Sequence, residues 1–249
     1  MELGLAGKTA LVSGASRGIG LSIARALHAE GCHVALVARG RDGLEEAGKE
    51  FDGHASLHVG DAAVPDTARR LAAEAAAPSG GLDILICNAG GGASVSPGME
   101  TEAEWRRLLD LNLFSALTMI SAARPHLRRG GAIVCISSIA GLAALGAPVA
   151  YSAAKAALNA AVKGLARPLA ADGLRINAIA PGNILFDGGT WDRKRKEDPT
   201  GVEAMLRHDV PLGRLGSPEE IAPLAVFLSS PKAAFITGSI LVADGGQLR

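Results

Sequence analysis

Apolar residues in this 249-residue chain fall into short runs at 9–13, 33–38, 56–59, 83–87, 132–137, 175–180 and 236–243. Each run has strand length and is bounded by glycine, proline or polar residues. Between most of them lie alanine-rich stretches with helical spacing, as for Ile19, Ile23 and Leu27. The stretch at 66–77 mixes small and charged residues and stops at the Pro78-Ser-Gly-Gly81 break. Strands alternating with helices predict an α/β chain with right-handed crossovers and a parallel sheet covered on both faces. No polar or proline-rich linker divides the chain, so 1–249 reads as one domain. Pro168 is expected to bend or end the helix that begins near Tyr151, since it lacks a backbone donor and clashes with the preceding turn.

The first run leads into a glycine-rich turn, Ser13-Gly-Ala-Ser-Arg-Gly-Ile-Gly20, and then into a helical pattern. A strand, a tight turn and a helix in that order form a dinucleotide-binding unit, with unpaired N–H groups at the helix start facing the phosphates. Gly14 supplies unusual backbone angles, Gly18 leaves room for a pyrophosphate, and Gly20 allows close helix packing. Ser16, Arg17 and Ile19 complete the candidate turn. Glycines also make turns with no ligand, so the turn alone leaves both readings open. The second run ends in Ala38-Arg39 rather than an acid. A small residue and a guanidinium, with Arg17 nearby, suit the 2′-phosphate of NADP, whereas an acid would repel it. Asp61, after the third run, either accepts a hydrogen bond from the adenine amine or caps a turn.

Tyr151, the only tyrosine, stands four residues before Lys155, on one helix face. A phenol titrates near pH 10, and bringing that down by roughly three units takes about 4 kcal/mol. One close ammonium plus a second positive charge on a bound cofactor could supply it.

Composition narrows the function classes. Hydrophobic residues make up 48% and aromatics 3%, which suits strands buried on both faces against closely packed helices. The 25 basic and 25 acidic residues cancel, and the Arg193-Lys-Arg-Lys196 run is answered by Asp192, Glu197 and Asp198. That run reads as a solvated loop, and nothing suggests nucleic acid. No stretch approaches the ~20 apolar residues of a membrane span. Cys32, Cys87 and Cys135 lie in or beside apolar runs, so buried thiols in a reducing, cytoplasmic compartment are expected, with no metal site.

Taken together, the glycine turn, Cys87-Asn-Ala-Gly90, Asn112, Ser138, Tyr151 with Lys155, Pro181-Gly182 and Ala243-Asp-Gly-Gly246 resemble the single-domain short-chain dehydrogenase/reductases over essentially the whole chain. The resemblance implies a Rossmann doubly wound sheet of about seven strands, often in a homotetramer paired through two long helices and the C-terminal strand. It also implies NADP(H)-dependent interconversion of a carbonyl and a secondary alcohol. Tyr151 is then the general acid/base and Lys155 lowers its pKa and holds the nicotinamide ribose. Ser138 binds the substrate oxygen, with Ser137 a bystander. Asn112 interrupts a helix and holds a water of the proton relay, and Asn88 steadies the central strands. Asn88, Ala89, Gly90, Pro181, Gly182 and Ile184 join the turn residues, Arg39 and Asp61 around the cofactor.

The chain departs from the family where Thr commonly follows Pro-Gly by four positions, because Phe186 stands there. Thr190 replaces that hydroxyl only if the loop folds differently. The segment 183–210 matches the variable substrate lid, making Phe186 and Trp191 candidate apolar walls or loop anchors. The nearest subgroup resemblance is to 3-oxoacyl-acyl-carrier-protein reductases, through the glycine turn and Pro211-Leu-Gly-Arg-Leu-Gly-Ser-Pro-Glu-Glu220. Arg128 and Arg129 suit an acidic carrier, whereas Asp172 stands where such reductases carry a base. Sugar, steroid or other alcohol dehydrogenases are the alternatives. A non-catalytic NADP-binding regulatory module, or an epimerase or dehydratase, are readings of other kinds, disfavoured by the intact catalytic set and the lack of a second domain.

Overall fold

Seven parallel strands form one sheet in the order β3-β2-β1-β4-β5-β6-β7. The computed structural model describes residues 2–248. The strands are Thr9–Ser13 (β1), His33–Ala38 (β2), Ala55–Val59 (β3), Leu82–Cys87 (β4), Leu127–Ile136 (β5), Arg175–Pro181 (β6) and Ile240–Ala243 (β7). Helices Gly18–Ala29 (α1), Arg41–Gly48 (α2), Pro65–Ala76 (α3), Glu102–Leu109 (α4), Ser115–Ala123 (α5) and Val149–Ala171 (α6) alternate with them. Thr190–Glu197 (α7) and Pro199–Asp209 (α8) follow β6, and Pro218–Ser229 (α9) precedes β7.

Side chains alternate across a strand, so each apolar run supplies two cores. Val12, Ile84, Ile86, Val134 and Ile136 meet α1, α2 and α9 on one face through Ile23, Leu27, Leu44 and Ile221. Leu11, Leu85, Ile133 and Cys135 meet α3, α5 and α6 on the other through Leu71, Met119, Leu158 and Val162. β1 pairs with both β2 and β4, so the strand order reverses there and a crevice opens beyond their C-terminal ends.

Four local expectations are corrected. β5 begins at Leu127 rather than 132, because Leu82 pairs with Leu127 while Ile84 pairs with Ala132, and the intervening residues bulge. β7 begins at Ile240 rather than 236, since Gly238 has φ +72° and sends its N–H to Ile176 O at 2.7 Å. The 193–196 run is helical within α7, where Asp192 accepts both the Gly188 N–H at 3.0 Å and Lys196 Nζ at 2.7 Å. Pro168 does not end α6, which runs to Ala171. It sits in the last turn, where the N–H groups of Asp172, Gly173 and Leu174 close the end on the Leu169 and Ala170 carbonyls.

Candidate active site

The glycine turn is shaped by contact as well as by backbone angle. Gly14 and Gly18 have φ of +66° and +57°, and a side chain on Gly20 would collide with Gly14 O and Asn88 Nδ2. Asn88 Nδ2 donates to Ser13 O at 3.3 Å and Gly14 O at 3.0 Å, while Ser13 Oγ accepts the Asn88 N–H at 3.1 Å. Asn88 thereby ties the end of β4 to the turn, leaving the head of α1 at the crevice. These glycines, the helix start and Arg17 at its N-cap fit a dinucleotide's phosphates.

Arg39 is exposed just past the buried Ala38, and Ser16 approaches Gly43 at the start of α2. Asp61 Oδ1 accepts the Ala63 N–H at 2.9 Å, so one carboxylate oxygen caps a turn.

The candidate reacting groups come from two parts of the chain. Tyr151 and Lys155 lie one turn apart on α6, and Ser138 lies two residues past the end of β5, capping a short turn with its Oγ accepting the Ala140 N–H at 3.1 Å. Lys155 Nζ donates to Ile136 O at 2.8 Å and lies 5.9 Å from the Tyr151 ring centroid. Burial brings Lys155 down to about 8. Burial also pushes the Tyr151 phenol up, against a hydrogen bond with Ser138 that pulls it down. In the chain by itself the ammonium faces a backbone carbonyl and dehydration of the phenol dominates; the second positive charge expected to help lower it belongs to the bound cofactor.

Asn112 occupies a π-helical turn, Asp110–Phe114, between α4 and α5. Its Oδ1 accepts the Gly91 N–H at 3.0 Å and its Nδ2 donates to Gly91 O at 3.0 Å and Leu108 O at 3.1 Å. A Cβ on Gly90 would lie 2.9 Å from Asn112 Oδ1 and 3.3 Å from Lys155 Nζ. Gly92 packs against the Tyr151 ring, its Cβ position 3.7 Å away. Asn112, Lys155 and Tyr151 thus converge on Gly90–Gly92. Ser137 has another task, donating to Asn159 Oδ1 at 2.6 Å.

Several positioning residues were not foreseen. Asn159, one further turn along from Lys155, donates to Gly141 O at 3.2 Å and binds β5 to α6; its i,i+4 spacing was the available signal. Glu100 accepts the Val149 N–H at 3.1 Å, two residues before Tyr151, and backbone N–H groups hold it below the usual carboxylate range. Arg107 Nη2 donates to Ala93 O at 2.8 Å and its guanidinium holds Glu104 down at about 2. No sequence pattern announces these last two ties.

On the opposite side, Ile184 is buried and bridges to Gly216. The bridge uses the Asn183 carbonyl at 2.9 Å and the Leu185 N–H at 2.8 Å, turning Ile184's own amide the other way. Gly182 packs on Asp244 at the end of β7. Phe186 lies on Gly18 and Gly189, not beside Tyr151, and Trp191 carries Lys194 Nζ 4.6 Å over its ring. A cavity of about 190 Å³ lined by Ile184, Val210, Leu212, Arg214 and Asp244 contains none of Ser138, Tyr151 and Lys155. Side-chain chemistry, rather than concavity, locates the reacting centre.

The chain is similar to several known proteins over nearly its whole length. Residues 14–247 match the family model described as Enoyl-(Acyl carrier protein) reductase. An uncharacterised oxidoreductase of Methylorubrum extorquens is 36% identical over 246 residues, 97% of this chain and 98% of that protein. The rhamnolipids biosynthesis 3-oxoacyl-[acyl-carrier-protein] reductase of Pseudomonas aeruginosa is 34% identical over 251 residues, 97% of this chain and 96% of that protein. L-sorbose reductase of Gluconobacter frateurii, solved with NADPH and L-sorbose, has a TM-score of 0.93 at 32% identity, covering 100% of this chain and 99% of that one.

Proposed function

The chain belongs to the short-chain dehydrogenase/reductase family of oxidoreductases acting on CH–OH and C=O groups, and from that premise we propose that it uses NADPH to reduce an apolar ketone. The observation that carries the reading is the convergence of Tyr151, Lys155 and Asn112 on Gly90–Gly92, with Ser138 hydrogen-bonded to Tyr151, beside the glycine turn.

A nicotinamide cofactor, when bound, would supply the hydride. Ser138 Oγ and the Tyr151 hydroxyl hydrogen-bond the carbonyl oxygen as charge develops there, and Tyr151 gives up its proton. The raised phenol is protonated at neutral pH, the form that reduction consumes. Lys155, near 8, is well matched to return a proton. Arg39, with Arg17 across the turn, supports NADPH over NADH, because no acid stands at the end of β2 to repel a 2′-phosphate.

The walls beside Tyr151 support an apolar substrate. Neither 88–99 nor 137–150 contains a charged side chain. Val95, Met99, Leu142 and Val149, on those segments, are exposed apolar residues. A ketosugar would find few polar partners on such walls beyond serine hydroxyls, whereas a fatty or alicyclic ketone, or a 3-oxoacyl thioester, needs none. The carrier-borne form has less support. Arg128 is engaged with Asp83 at 2.8 Å and with Ser79 O, and Asp172 with Arg124 at 2.6 Å. Of the basic surface expected to meet an acidic carrier, Arg129 remains.

A homotetramer is part of the reading, since the fully exposed Phe235 and the exposed Val242 beside the β7 edge offer apolar surface to a second copy. Among the described residues no helix is long and apolar enough to cross a membrane.

The test is loss of NADPH absorbance with 2-alkanones and 3-oxoacyl thioesters of increasing length, beside ketosugars, NADH and Tyr151→Phe. Expected are turnover with NADPH, kcat/KM rising about fourfold per added methylene at ~0.8 kcal/mol each, and none in Tyr151→Phe. Preference for ketosugars would overturn the substrate class, and equal use of NADH the cofactor.

A further inference from the structure

Phe186 stands where a hydroxyl is expected, and its ring covers the glycine turn. A Cβ on Gly18 would lie 2.8, 2.9 and 3.0 Å from the ring's Cε2, Cζ and Cδ2. A Cβ on Gly189 would lie 3.0 and 3.1 Å from Cζ and Cε1. The ring is thus held between two glycines, and the room that Gly18 leaves at the head of α1 is filled from within the chain. A second tie runs beside it, Arg17 Nη1 donating to Gly188 O at 3.4 Å.

We propose that Phe186 gates the phosphate-binding turn: its ring must swing off Gly18 before a pyrophosphate can approach the N–H groups of α1. This rests on the dinucleotide reading above. The ring is only partly buried against the core, so moving it exposes limited apolar area. The hinge is at hand, because Gly188 has φ +67° and Gly189 follows it. Asp192 holds the Gly188 N–H at 3.0 Å from within α7, so the swing is transmitted to that helix and to Trp191 on it. A chain that closes its own cofactor seat binds more weakly by the fraction of time the seat is open. If the seat is open about one tenth of the time, apparent affinity falls about tenfold.

Stopped-flow NADPH binding to the full chain, read by Trp191 fluorescence in a Trp105→Phe background, tests the gate. The parent is expected to show an observed rate that levels off at high NADPH, at the rate of ring release. Phe186→Ala should abolish the plateau and bind about tenfold more tightly, and Phe186→Leu should fall between. Thermal unfolding of each variant verifies folding, and the Leu variant carries the test if Ala does not fold. A rate linear in NADPH for the parent, with association unchanged in the variants, overturns the gate and leaves the cofactor reading intact. Weaker binding in both variants also overturns it, making the ring part of the seat. Absence of NADPH binding in parent and variants alike sinks the cofactor reading and the gate with it.

Discussion

Gly141 touches the main chain of the helix that carries Tyr151 and Lys155. A Cβ at that position would lie 2.6 Å from Lys155 C, 2.8 Å from Ala156 N and 2.9 Å from Lys155 Cβ. Comfortable carbon contacts begin near 3.5 Å, so Gly141→Ala requires α6 to retreat by about 1 Å. Overpacking of this kind costs about 1–3 kcal/mol. The retreat also draws Lys155 Nζ from Ile136 O, now 2.8 Å away, and misplacement on that scale costs on the order of a hundredfold in rate. Urea unfolding supplies the stability, and kcat beside an NADPH titration separates lost chemistry from a lost cofactor seat. Gly164→Ala is the control. It lies on the same helix with nothing within 4 Å of its Cβ position, so it should gain roughly 0.8–1 kcal/mol from helix propensity. If Gly141→Ala matched its parent in both stability and kcat, the packing argument would be wrong. If Gly164→Ala lost stability, another surface, such as a second copy, must cover α6 there.

Three further outcomes are expected. Lys155 titrates near 8 in the folded chain against 10.5 when free. The unfolded chain therefore holds an extra proton between those values, and stability should climb across that window by up to about 3 kcal/mol. Urea midpoints compared with Lys155→Met would show the slope, and parallel pH profiles would refute it. Asp83→Ala strips partners from Lys8 Nζ, the Thr9 N–H and Arg128 Nη1, at 3.1, 3.0 and 2.8 Å. It should cost about 3 kcal/mol by denaturant titration, toward the lower end for buried pairs because both cations keep access to water; a loss below 1 kcal/mol would count against it. Asn88→Ala removes the donor to Ser13 O and Gly14 O and should cost about 1–2 kcal/mol while weakening NADPH binding. An unchanged titration curve would show that the turn holds itself.

The sheet was legible because strands buried on both faces leave unbroken apolar runs, and all seven strands lie within or overlap the predicted runs. Their ends were less so. The bulge before Ala132 depends on pairing with β4, and the Gly238 turn on a bond to Ile176, neither of which is local. Tyr151 and Lys155 declared themselves through helical spacing within one element. Glu100 did not, since its contact with Val149 spans 49 residues. Phe186 was visible as an exception, but a missing hydroxyl says nothing of where the replacing ring will rest. The balance at Tyr151 without a cofactor was not legible for the same kind of reason. Spacing reveals that a cation is near, while burial, set by everything packed around the pair, decides which term wins.

The π turn at Asp110–Phe114 amounts to a surplus residue retained in a helix. Deleting one residue from it would let α4 and α5 fuse into ordinary α-helix, a change that backbone hydrogen bonding alone would welcome. Yet each residue of helix carries a rotation of about 100°. The fused rod would turn Asn112 away from Gly91 or twist α5 off its buried face. Between α4 and α5, then, the length of the chain itself sets where Asn112 points: substitutions there can be absorbed singly, whereas insertions and deletions should be rejected whatever residue they involve.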